Sequence, residues 1–274
     1  MIIVIKMGGE LMTVERAQER ADIIASMRAL LDAQHRLIVV HGGGPQSTML
    51  QRALGQVPTM VGGRRVTDAA ALEVTKMAVG GQVNIDLVSA LTARSVPAVG
   101  LNGVSGHLLA CERRPPTLVA GGGDGPVDYG LVGRVTAVHR TLVHVLLDAG
   151  YVPVIACLGS DGRGQTYNVN ADEVASAVAV AVEADAMAML TSTPGVLKDK
   201  DDPSTRLARL TTAEGRAAIA NGTVQGGMIP KVEEAVTTVE AGVGCVLILG
   251  RLASGQLESA LTEPGRWGTA ILRQ

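Results

Sequence analysis

The sequence predicts an α/β protein, built as a three-layer sandwich around a mostly parallel, open β-sheet. Short β-branched runs alternate with longer amphipathic segments, which is typical of βαβ units. A chain of 274 residues can bury a substantial core without a disulfide or metal staple. Glycine-rich clusters follow several of the predicted strands, at the edge where open parallel sheets bind ligands.

The first half of the chain opens with a strand and continues with alternating helices and strands. Runs rich in isoleucine and valine indicate strands, and longer amphipathic runs indicate helices. The second helix opens directly after a run of three glycines. The predicted strands are residues 2–5, 37–40 and 96–101, and the predicted helices are residues 14–33, 45–54, 68–79 and 83–94.

From His107 to Val138 the pattern changes to short strands broken by glycine-rich turns, notably at residues 121–125. This stretch is predicted to be a hairpin excursion. Alternation then resumes, with helices at residues 142–149, 171–182, 212–220 and 231–241 and strands at residues 152–156 and 186–190. A last strand at residues 245–249 is predicted to complete the sheet. No repeat or low-complexity linker interrupts the chain, so we expect one continuous body with a first lobe of residues 1–172 and a smaller second lobe of residues 173–274.

Composition and charge argue against several classes of partner. A net charge of −2, no Phe, one Trp and three Tyr offer neither a basic surface nor stacking platforms for nucleic acid. The first residues lack the pattern of a signal peptide, and no apolar run reaches the ~20 residues that span a bilayer. Cys111, Cys157 and Cys245 lie in apolar stretches without metal-ligand spacing, so we expect a cytoplasmic protein with buried structural thiols.

Common nucleotide and hydrolase motifs are missing. No G-x-x-x-x-G-K-[ST] occurs, and the Gly42-Gly43-Gly44 run does not fit G-x-G-x-x-G. The segment at residues 103–106 is one residue short of G-x-S-x-G, and there is no H-E-x-x-H. The remaining candidates are other glycine-rich strand ends.

Two such strand ends favour anion binding. Lys6-Met7-Gly8-Gly9 places a lysine at the end of the first strand, although a solvent-facing lysine beside a tight turn fits the same pattern. His41-Gly42-Gly43-Gly44-Pro45 follows the second strand and opens a helix. Three residues without Cβ leave backbone N–H groups free to converge on an anion.

Three further motifs supply polar groups. An arginine in Gly63-Arg64-Arg65-Val66-Thr67-Asp68 can clamp a carboxylate with two hydrogen bonds, or it can be solvated beside an N-cap. Tyr167-Asn168-Val169-Asn170-Ala171-Asp172 fits either turn and N-cap chemistry or substrate binding. Gly226-Gly227-Met228-Ile229-Pro230-Lys231 repeats the glycine-and-lysine pattern at the start of a helix.

In combination and in this order, these motifs resemble the amino acid kinase family, most closely its members that phosphorylate N-acetylglutamate. The resemblance runs from Ile2 to about Leu249. It implies ATP and Mg²⁺ as cofactors, N-acetyl-L-glutamate as the substrate and arginine biosynthesis as the pathway. Lys6 and Lys231 would stabilise the transition state, and Asp172 would hold the two lysines in place rather than act as a base.

The resemblance also implies a binding role for each remaining motif. Gly43 and Gly44 would donate backbone N–H groups, Arg65 would pair with the substrate α-carboxylate, and Asn168 would bind its α-substituent. The nucleotide would lie over the second lobe, with Gly8, Gly9, Ser192, Thr193, Gly195, Gly226, Gly227 and Met228 around it. No protein metal ligand is implied, because Mg²⁺ would bind mainly nucleotide phosphates and water.

The chemistry agrees with this inventory. A side-chain carboxylate with a pKa near ~4.3 is already ionised at neutral pH, so it needs no general base. Fixed cations and N–H donors would supply the stabilisation of the transferring phosphoryl group. His41 is therefore interpreted as a structural neighbour of its loop.

Alternatives stay open. The family commonly has an aspartate where this chain has Ser192, which leaves the nucleotide contacts less defined. A kinase for acylated or carrier-linked aminoadipate shares most of the motifs, and a non-catalytic sensor could keep the fold. Feedback-inhibited hexameric members carry a helix before the first strand, so this chain is expected to be a homodimer insensitive to arginine, with the helical stretch of residues 69–91 as the expected contact.

Overall fold

The structure is a computed structural model that describes residues 1–119, 123 and 125–273. Its strands are β1 (Ile2–Met7), β2 (Arg36–His41), β3 (Met60–Val61), β4 (Arg64–Arg65), β5 (Ala98–Asn102), β6 (Leu109–Arg113), β7 (Gly133–Val138), β8 (Val152–Ala156), β9 (Leu158–Ser160), β10 (Thr166–Asn168), β11 (Ala186–Leu190), β12 (Arg209–Thr211), β13 (Cys245–Leu249) and β14 (Gly268–Leu272). Its α-helices are α1 (Ala17–Asp32), α2 (Gly44–Ala53), α3 (Ala69–Thr75), α4 (Asn84–Thr92), α5 (Thr141–Asp148), α6 (Ala171–Ala181), α7 (Thr212–Ala220), α8 (Ile229–Glu240) and α9 (Gln256–Thr262). A π-helix, Lys76–Val83, joins α3 to α4, and short 3₁₀ turns lie at Gly9–Met12, Val14–Arg16, Ser105–His107, Pro203–Thr205 and Gly226–Met228.

The central sheet has eight strands in the order β12-β14-β13-β11-β1-β2-β8-β5. It is mostly parallel, as predicted, and β13 and β14 are the antiparallel neighbours within it. Met7 at the end of β1 is in register with His41 on one side and Leu190 on the other. The loops after β1, β2 and β11 therefore leave the sheet at one common edge.

Side chains on the sheet alternate between two cores. Val4 packs into one core cluster, whereas Ile3 and Ile5 pack into the other, as the period of two in a strand requires. Helices α5, α6 and α8 contribute to the first cluster, and α1, α4 and α9 contribute to the second. Apolar residues on both faces explain the continuous hydrophobic runs of the central strands and confirm the three-layer prediction.

A second sheet, in the order β10-β9-β6-β7, contains the predicted hairpin excursion. β6 and β7 pair antiparallel, with an irregular register between Ala110 and Cys111. The predicted turn at residues 121–125 lies largely outside the described residues. This small sheet packs its β7 against α6, so it borders the edge where the loops of the central sheet end.

Two predictions about elements were wrong. Cys245–Leu249 is not the last strand, because α9 and β14 follow it. β14 pairs antiparallel with β13, and its short run, which begins with a glycine, gives little signal in the sequence.

The break predicted between two helices near residue 80 is absent, and a π-helix continues through Gly80. A Cβ at Gly80 would lie 2.9 Å from Leu158 Cδ1, so this glycine permits close packing.

Within the described residues, no helix combines the length and the apolar character needed to cross a membrane.

Candidate active site

The centre of the site is the Asp172 carboxylate, which lies between two lysines. Lys6 Nζ is 2.7 Å from Asp172 Oδ1, and Lys231 Nζ donates a 2.8 Å hydrogen bond to Oδ2. Lys6 is near the end of β1, Asp172 is in the first turn of α6, and Lys231 is in the first turn of α8. The three predicted catalytic residues, 225 positions apart at the extremes, are thus in direct contact.

Electrostatics keep this carboxylate ionised. Burial by itself raises the pKa of Asp172, but the ammonium groups of Lys6 and Lys231 outweigh burial and lower it to about 2. Burial lowers the pKa of Lys6, and Asp172 opposes that effect. The position of Asp172 at a helix N-terminus, where Asn170 Oδ1 accepts its backbone N–H at 2.9 Å, favours the negative charge further. An ionised Asp172 holds the two lysines rather than taking up a proton.

The two predicted glycine loops pack against each other beside Lys6. A Cβ on Gly9 would lie 2.9 Å from the backbone nitrogen of Gly44, so the loops approach more closely than any other residue would allow. The Gln46 side chain donates a 2.9 Å hydrogen bond to the Gly9 carbonyl and ties the loops together. Nothing lies within 4 Å of a Cβ built on Gly44, which leaves that backbone open to a ligand.

Arg65 is held in a fixed orientation by one face of α2. Its Nη2 donates to the Gly44 carbonyl at 3.0 Å and to Thr48 Oγ1 at 2.6 Å, and its Nη1 donates to Gln51 Oε1. Burial lowers the pKa of Arg65 below its ordinary value. Such a preorganised guanidinium suits a carboxylate of a bound ligand.

Asn168 is the last residue of β10, in the second sheet. Its Nδ2 donates a 3.2 Å hydrogen bond to Thr67 Oγ1, and its backbone N–H donates to the Leu131 carbonyl at 3.0 Å. These bonds connect β10 to the segment that carries Arg65. Asn168 is therefore fixed by one hydrogen bond from its side chain and one from its backbone.

A cavity of about 760 Å³ unites most of the predicted residues. Those that line it are Lys6, Gly8, Gly9, Gly43, Gly44, Arg65, Asn168 and Asp172. Lys231 reaches this set through Asp172. The remaining predicted residues lie outside the cavity lining: Ser192, Thr193, Gly195, Gly226, Gly227 and Met228.

Those remaining residues form two loops on the second-lobe side of the triad. Ser192 and Thr193 are exposed just after β11, where Thr191 Oγ1 accepts the Thr193 backbone N–H at 3.0 Å. Gly195 has a φ of +130°, and a Cβ there would lie 2.7 Å from Thr269 Oγ1. Gly226 and Gly227 are exposed, with nothing within 4 Å of a Cβ built on either. They precede α8, which carries Lys231.

Sequence reasoning missed Arg114, a cation of the cavity wall. Its guanidinium is paired with Glu173, whose Oε1 accepts the Val135 backbone N–H at 2.8 Å. Arg114 has no glycine-rich motif around it, and 59 residues separate it from its partner. Only the packing of the second sheet on α6 brings the two together.

Sequence reasoning also missed Gln51 and Thr48, and here a signal exists. Gly44, Thr48 and Gln51 follow the spacing i, i+4, i+7, so they share one helix face. A polar stripe of this kind on the helix that follows the glycine loop predicts a partner, which is Arg65.

Cys157 lines the cavity, but it is not a nucleophile. Burial raises the pKa of its thiol to about 11. Burial also raises the pKa of Cys111 to about 12. These values agree with buried structural thiols. No cluster of three or more His, Cys, Asp or Glu side chains arranged to hold a metal occurs in residues 1–119 and 125–273.

Asp172→Asn should remove a pH-dependent part of the stability. A folded-state pKa of about 2 lies below the ordinary 3.8, so the carboxylate stabilises the fold fully above pH 3.8 and progressively less as the pH falls towards 2. In urea unfolding at pH 7 we expect the variant to be less stable by roughly 2–4 kcal/mol. At pH 3 the gap should be smaller by about 1 kcal/mol.

Asp148→Asn is the matched control, because Asp148 pairs with Arg36 on the surface with its side chain 71% exposed. That variant should show no comparable change of the gap with pH. An Asp172→Asn gap that is equal at pH 7 and pH 3 would contradict the assigned ion pairs.

Comparisons with known proteins agree with this geometry. A sequence model described as "Amino acid kinase family" matches residues 1–250. An acetylglutamate kinase from Anaeromyxobacter dehalogenans is 49% identical over 271 residues, covering 98% of each chain. An N-acetylglutamate synthase from Neisseria gonorrhoeae, solved with coenzyme A and N-acetyl-glutamate, is 26% identical with a TM-score of 0.81, and the match covers 100% of this chain and 59% of that one.

The fold itself extends to more distant enzymes. Carbamate kinase from Giardia lamblia bound to AMP-PNP superposes with a TM-score of 0.69 at 18% identity, covering 100% of this chain and 98% of that chain. Together with the sheet order and the family match, this confirms the predicted fold. The chain belongs to the amino acid kinase family.

Proposed function

We propose that this chain transfers the γ-phosphoryl group of ATP to the side-chain carboxylate of N-acetyl-L-glutamate, giving N-acetyl-L-glutamyl 5-phosphate and ADP in arginine biosynthesis. The observation that carries the proposal is the Lys6–Asp172–Lys231 contact beside a cavity that also presents a fixed Arg65. The high identity to proteins described as acetylglutamate kinase supports the choice of substrate. Such a protein is a phosphotransferase with a carboxyl group as the acceptor.

The reaction needs no proton transfer at the acceptor. A carboxylate oxygen forms a bond to the γ-phosphorus while the bond from that phosphorus to the β,γ-bridging oxygen breaks, and the electron pair leaves with ADP. Lys6 and Lys231 stabilise the charge on the transferring group, and the backbone N–H groups of Gly43 and Gly44 add donors. Arg65 holds the α-carboxylate and Asn168 holds the acylated α-nitrogen substituent.

The nucleotide occupies the second-lobe side of the triad in this proposal. Gly8 and Gly9 adjoin the phosphates, and Ser192, Thr193 and Gly195 approach the nucleoside. Gly226, Gly227 and Met228 sit before α8, where an open glycine backbone lets phosphates approach Lys231. The first lobe, residues 1–172, thus binds the acyl amino acid, and the second lobe, residues 173–274, binds ATP.

Magnesium fits this site as an ion carried by the nucleotide. Both Asp172 oxygens face ammonium groups, whose positive charge disfavours a metal ion beside this carboxylate. Nucleotide phosphates and water would therefore supply its ligands. When bound, Mg²⁺ neutralises charge on the phosphates. The three free cysteines support the proposed cytoplasmic location.

The first test is ATP consumption with Mg²⁺ and each of three acceptors: N-acetylglutamate, glutamate and N-acetyl-aminoadipate. We expect turnover with N-acetylglutamate, and we expect Lys6→Ala to lower kcat by roughly 10²–10³ because a buried charged donor is lost. Lys200→Ala is the control, since its side chain is 73% exposed. Turnover with aminoadipate alone would assign the chain to lysine biosynthesis, and ATP binding without any turnover would indicate a sensor.

The charge of the cavity wall also favours an acylated substrate over a free amino acid. Arg114 donates its backbone N–H to the Val132 carbonyl at 2.8 Å, next to Leu131, which accepts from Asn168. Arg114 and Asn168 therefore share one wall. A free amino acid would bring its ammonium group to this wall beside a guanidinium, whereas acylation removes that charge.

Variants of this ion pair should change selectivity in opposite directions. Arg114→Gln leaves Glu173 as an uncompensated anion, so kcat/KM for N-acetylglutamate relative to glutamate should fall by roughly 10-fold. Glu173→Gln leaves the guanidinium uncompensated, and the same ratio should rise. Arg113→Gln, which alters a surface pair with Asp128, should leave the ratio unchanged. Equal ratios in all three variants would rule out this role for Arg114.

We also propose a homodimer, with the continuous helical stretch of residues 69–92 at the contact. Met77 and Ile85 on its outer side are 51% and 65% exposed, and β5 beside it is an edge strand of the central sheet. Large exposed apolar residues on one helix face favour a protein partner.

Light scattering on the purified chain tests this contact. We expect the mass of two chains for the wild type and of one chain for Met77→Lys combined with Ile85→Lys, because two buried charges would oppose association. Val145→Lys on α5, where Val145 is 59% exposed, should remain a dimer. A wild-type monomer, or a hexamer inhibited by arginine, would contradict the proposal.

A further inference from the structure

His41, the last residue of β2, is completely buried although the proposed chemistry does not use it. It lies in register with Met7 of β1 and Ala156 of β8, and it immediately precedes the glycine loop of residues 42–44. Its ring makes two hydrogen bonds. Nδ1 is 3.0 Å from the Gly42 carbonyl oxygen, and Nε2 is 2.9 Å from Asn84 Nδ2.

The backbone of the central sheet determines which ring nitrogen carries the proton. Asn84 Nδ2 also donates to the Val154 carbonyl at 3.0 Å. A carbonyl only accepts, so the Asn84 atom between this carbonyl and His41 must be the amide nitrogen and not the amide oxygen. An amide nitrogen only donates, and His41 Nε2 must therefore accept. The proton is left on Nδ1, which donates to the Gly42 carbonyl. Burial lowers the pKa of His41 to about 4, so the ring is neutral near pH 7.

The hydrogen bond between His41 Nδ1 and the Gly42 carbonyl orients the first peptide of the glycine loop. The Gly42 backbone N–H donates to the Met7 carbonyl at 3.2 Å, and its carbonyl accepts from His41. In a planar trans peptide the C=O and the following N–H point in opposite directions. A Gly42 carbonyl held towards the buried ring turns the Gly43 N–H to the other side, and Gly43 lines the cavity.

The segment that carries Asn84 packs on the same loop. A Cβ on Gly43 would lie 2.9 Å from Val79 Cγ2 and 3.4 Å from Val83 Cγ2, both from the π-helix that Asn84 directly follows. Asn84 itself fits only because Gly100 has no side chain, since a Cβ there would lie 2.3 Å from Asn84 Oδ1. π-Helical segments are frequent at functional sites.

We propose that His41 and Asn84 are a positioning pair that fixes the Gly42–Gly43 peptide, so that the loop N–H groups face the transferring phosphoryl group. This inference rests on the proposed kinase activity and deepens it. The pair does not touch the substrate in this proposal. It acts through the loop, and its effect belongs to the transition state, where the N–H donors are used.

Three replacements of His41 separate positioning from simple packing. In His41→Asn the amide nitrogen takes the place of Nδ1 and can still donate to the Gly42 carbonyl. In His41→Gln the side chain extends to the place of Nε2 and keeps only the contact with Asn84. His41→Leu keeps neither bond. Packing alone predicts that all three lose activity in proportion to their loss of thermal stability.

The positioning role predicts a different order. We expect kcat to fall by roughly 10–100-fold in His41→Leu and His41→Gln, and by no more than about 3-fold in His41→Asn. KM for N-acetylglutamate should change by less than about 2-fold in all three variants, because Arg65 and Asn168 are untouched. Equal losses of kcat in all three variants, following their Tm values, would overturn the proposal.

A measurement without turnover keeps this inference separate from the proposed function. In ¹⁵N NMR of the chain labelled at histidine and glycine, His41 should carry its proton on Nδ1 at pH 7, and Asn84→Leu should shift the His41 Nε2 signal. The amide signals of Gly43 and Gly44 should move in His41→Leu and stay near their wild-type positions in His41→Asn. A ring protonated on Nε2, or glycine signals that ignore these changes, would overturn the positioning pair even if the kinase activity is confirmed.

Discussion

The arrangement of the site depends on one carboxylate between two ammonium groups. Lys6 and Lys231 carry like charges and come from distant parts of the chain, so they would repel each other if Asp172 were absent. Asp172 can be ionised in a buried position because it has two cationic partners and the N-terminus of α6. The same contact joins β1, α6 and α8, and thereby fixes the relative positions of the loops that end at the shared sheet edge.

A reaction without proton transfer suits this distribution of charge. The chain as a whole carries a net charge of −2, yet its cavity concentrates Lys6, Arg65 and Arg114. Arg65 is held by three groups of α2, and Arg114 is held by Glu173, so each cation is fixed before a ligand arrives. Fixed charges need no reorganisation during the reaction, which is where electrostatic catalysis gains its advantage over water.

The sequence was most informative where local chemistry decides the structure. The lysines, the glycine loops and the Arg64-Arg65 pair could be found because each occurs at the end of a strand or near the start of a helix, where its residue type has a physical reason. The resemblance to the amino acid kinase family then singled out Arg65. Arg114 could not be found, since its position depends on contact between two elements that are 59 residues apart in the chain. The π-helix was equally hidden, because Gly80 and Gly81 resemble a helix break until Leu158 is seen against Gly80.

The π-helix explains how a rigid loop can be built from three glycines. Glycine restricts the backbone least, so residues 42–44 would be mobile unless their surroundings fixed them. Val79 and Val83 pack against Gly43, Gly9 packs against Gly44, and the His41 ring forms a hydrogen bond with the Gly42 carbonyl. The loop is therefore ordered by its neighbours and not by its own sequence. Met77 and Ile85 are exposed on the same helical stretch whose Val79 and Val83 pack on Gly43, so one stretch connects the proposed dimer contact with the glycine loop.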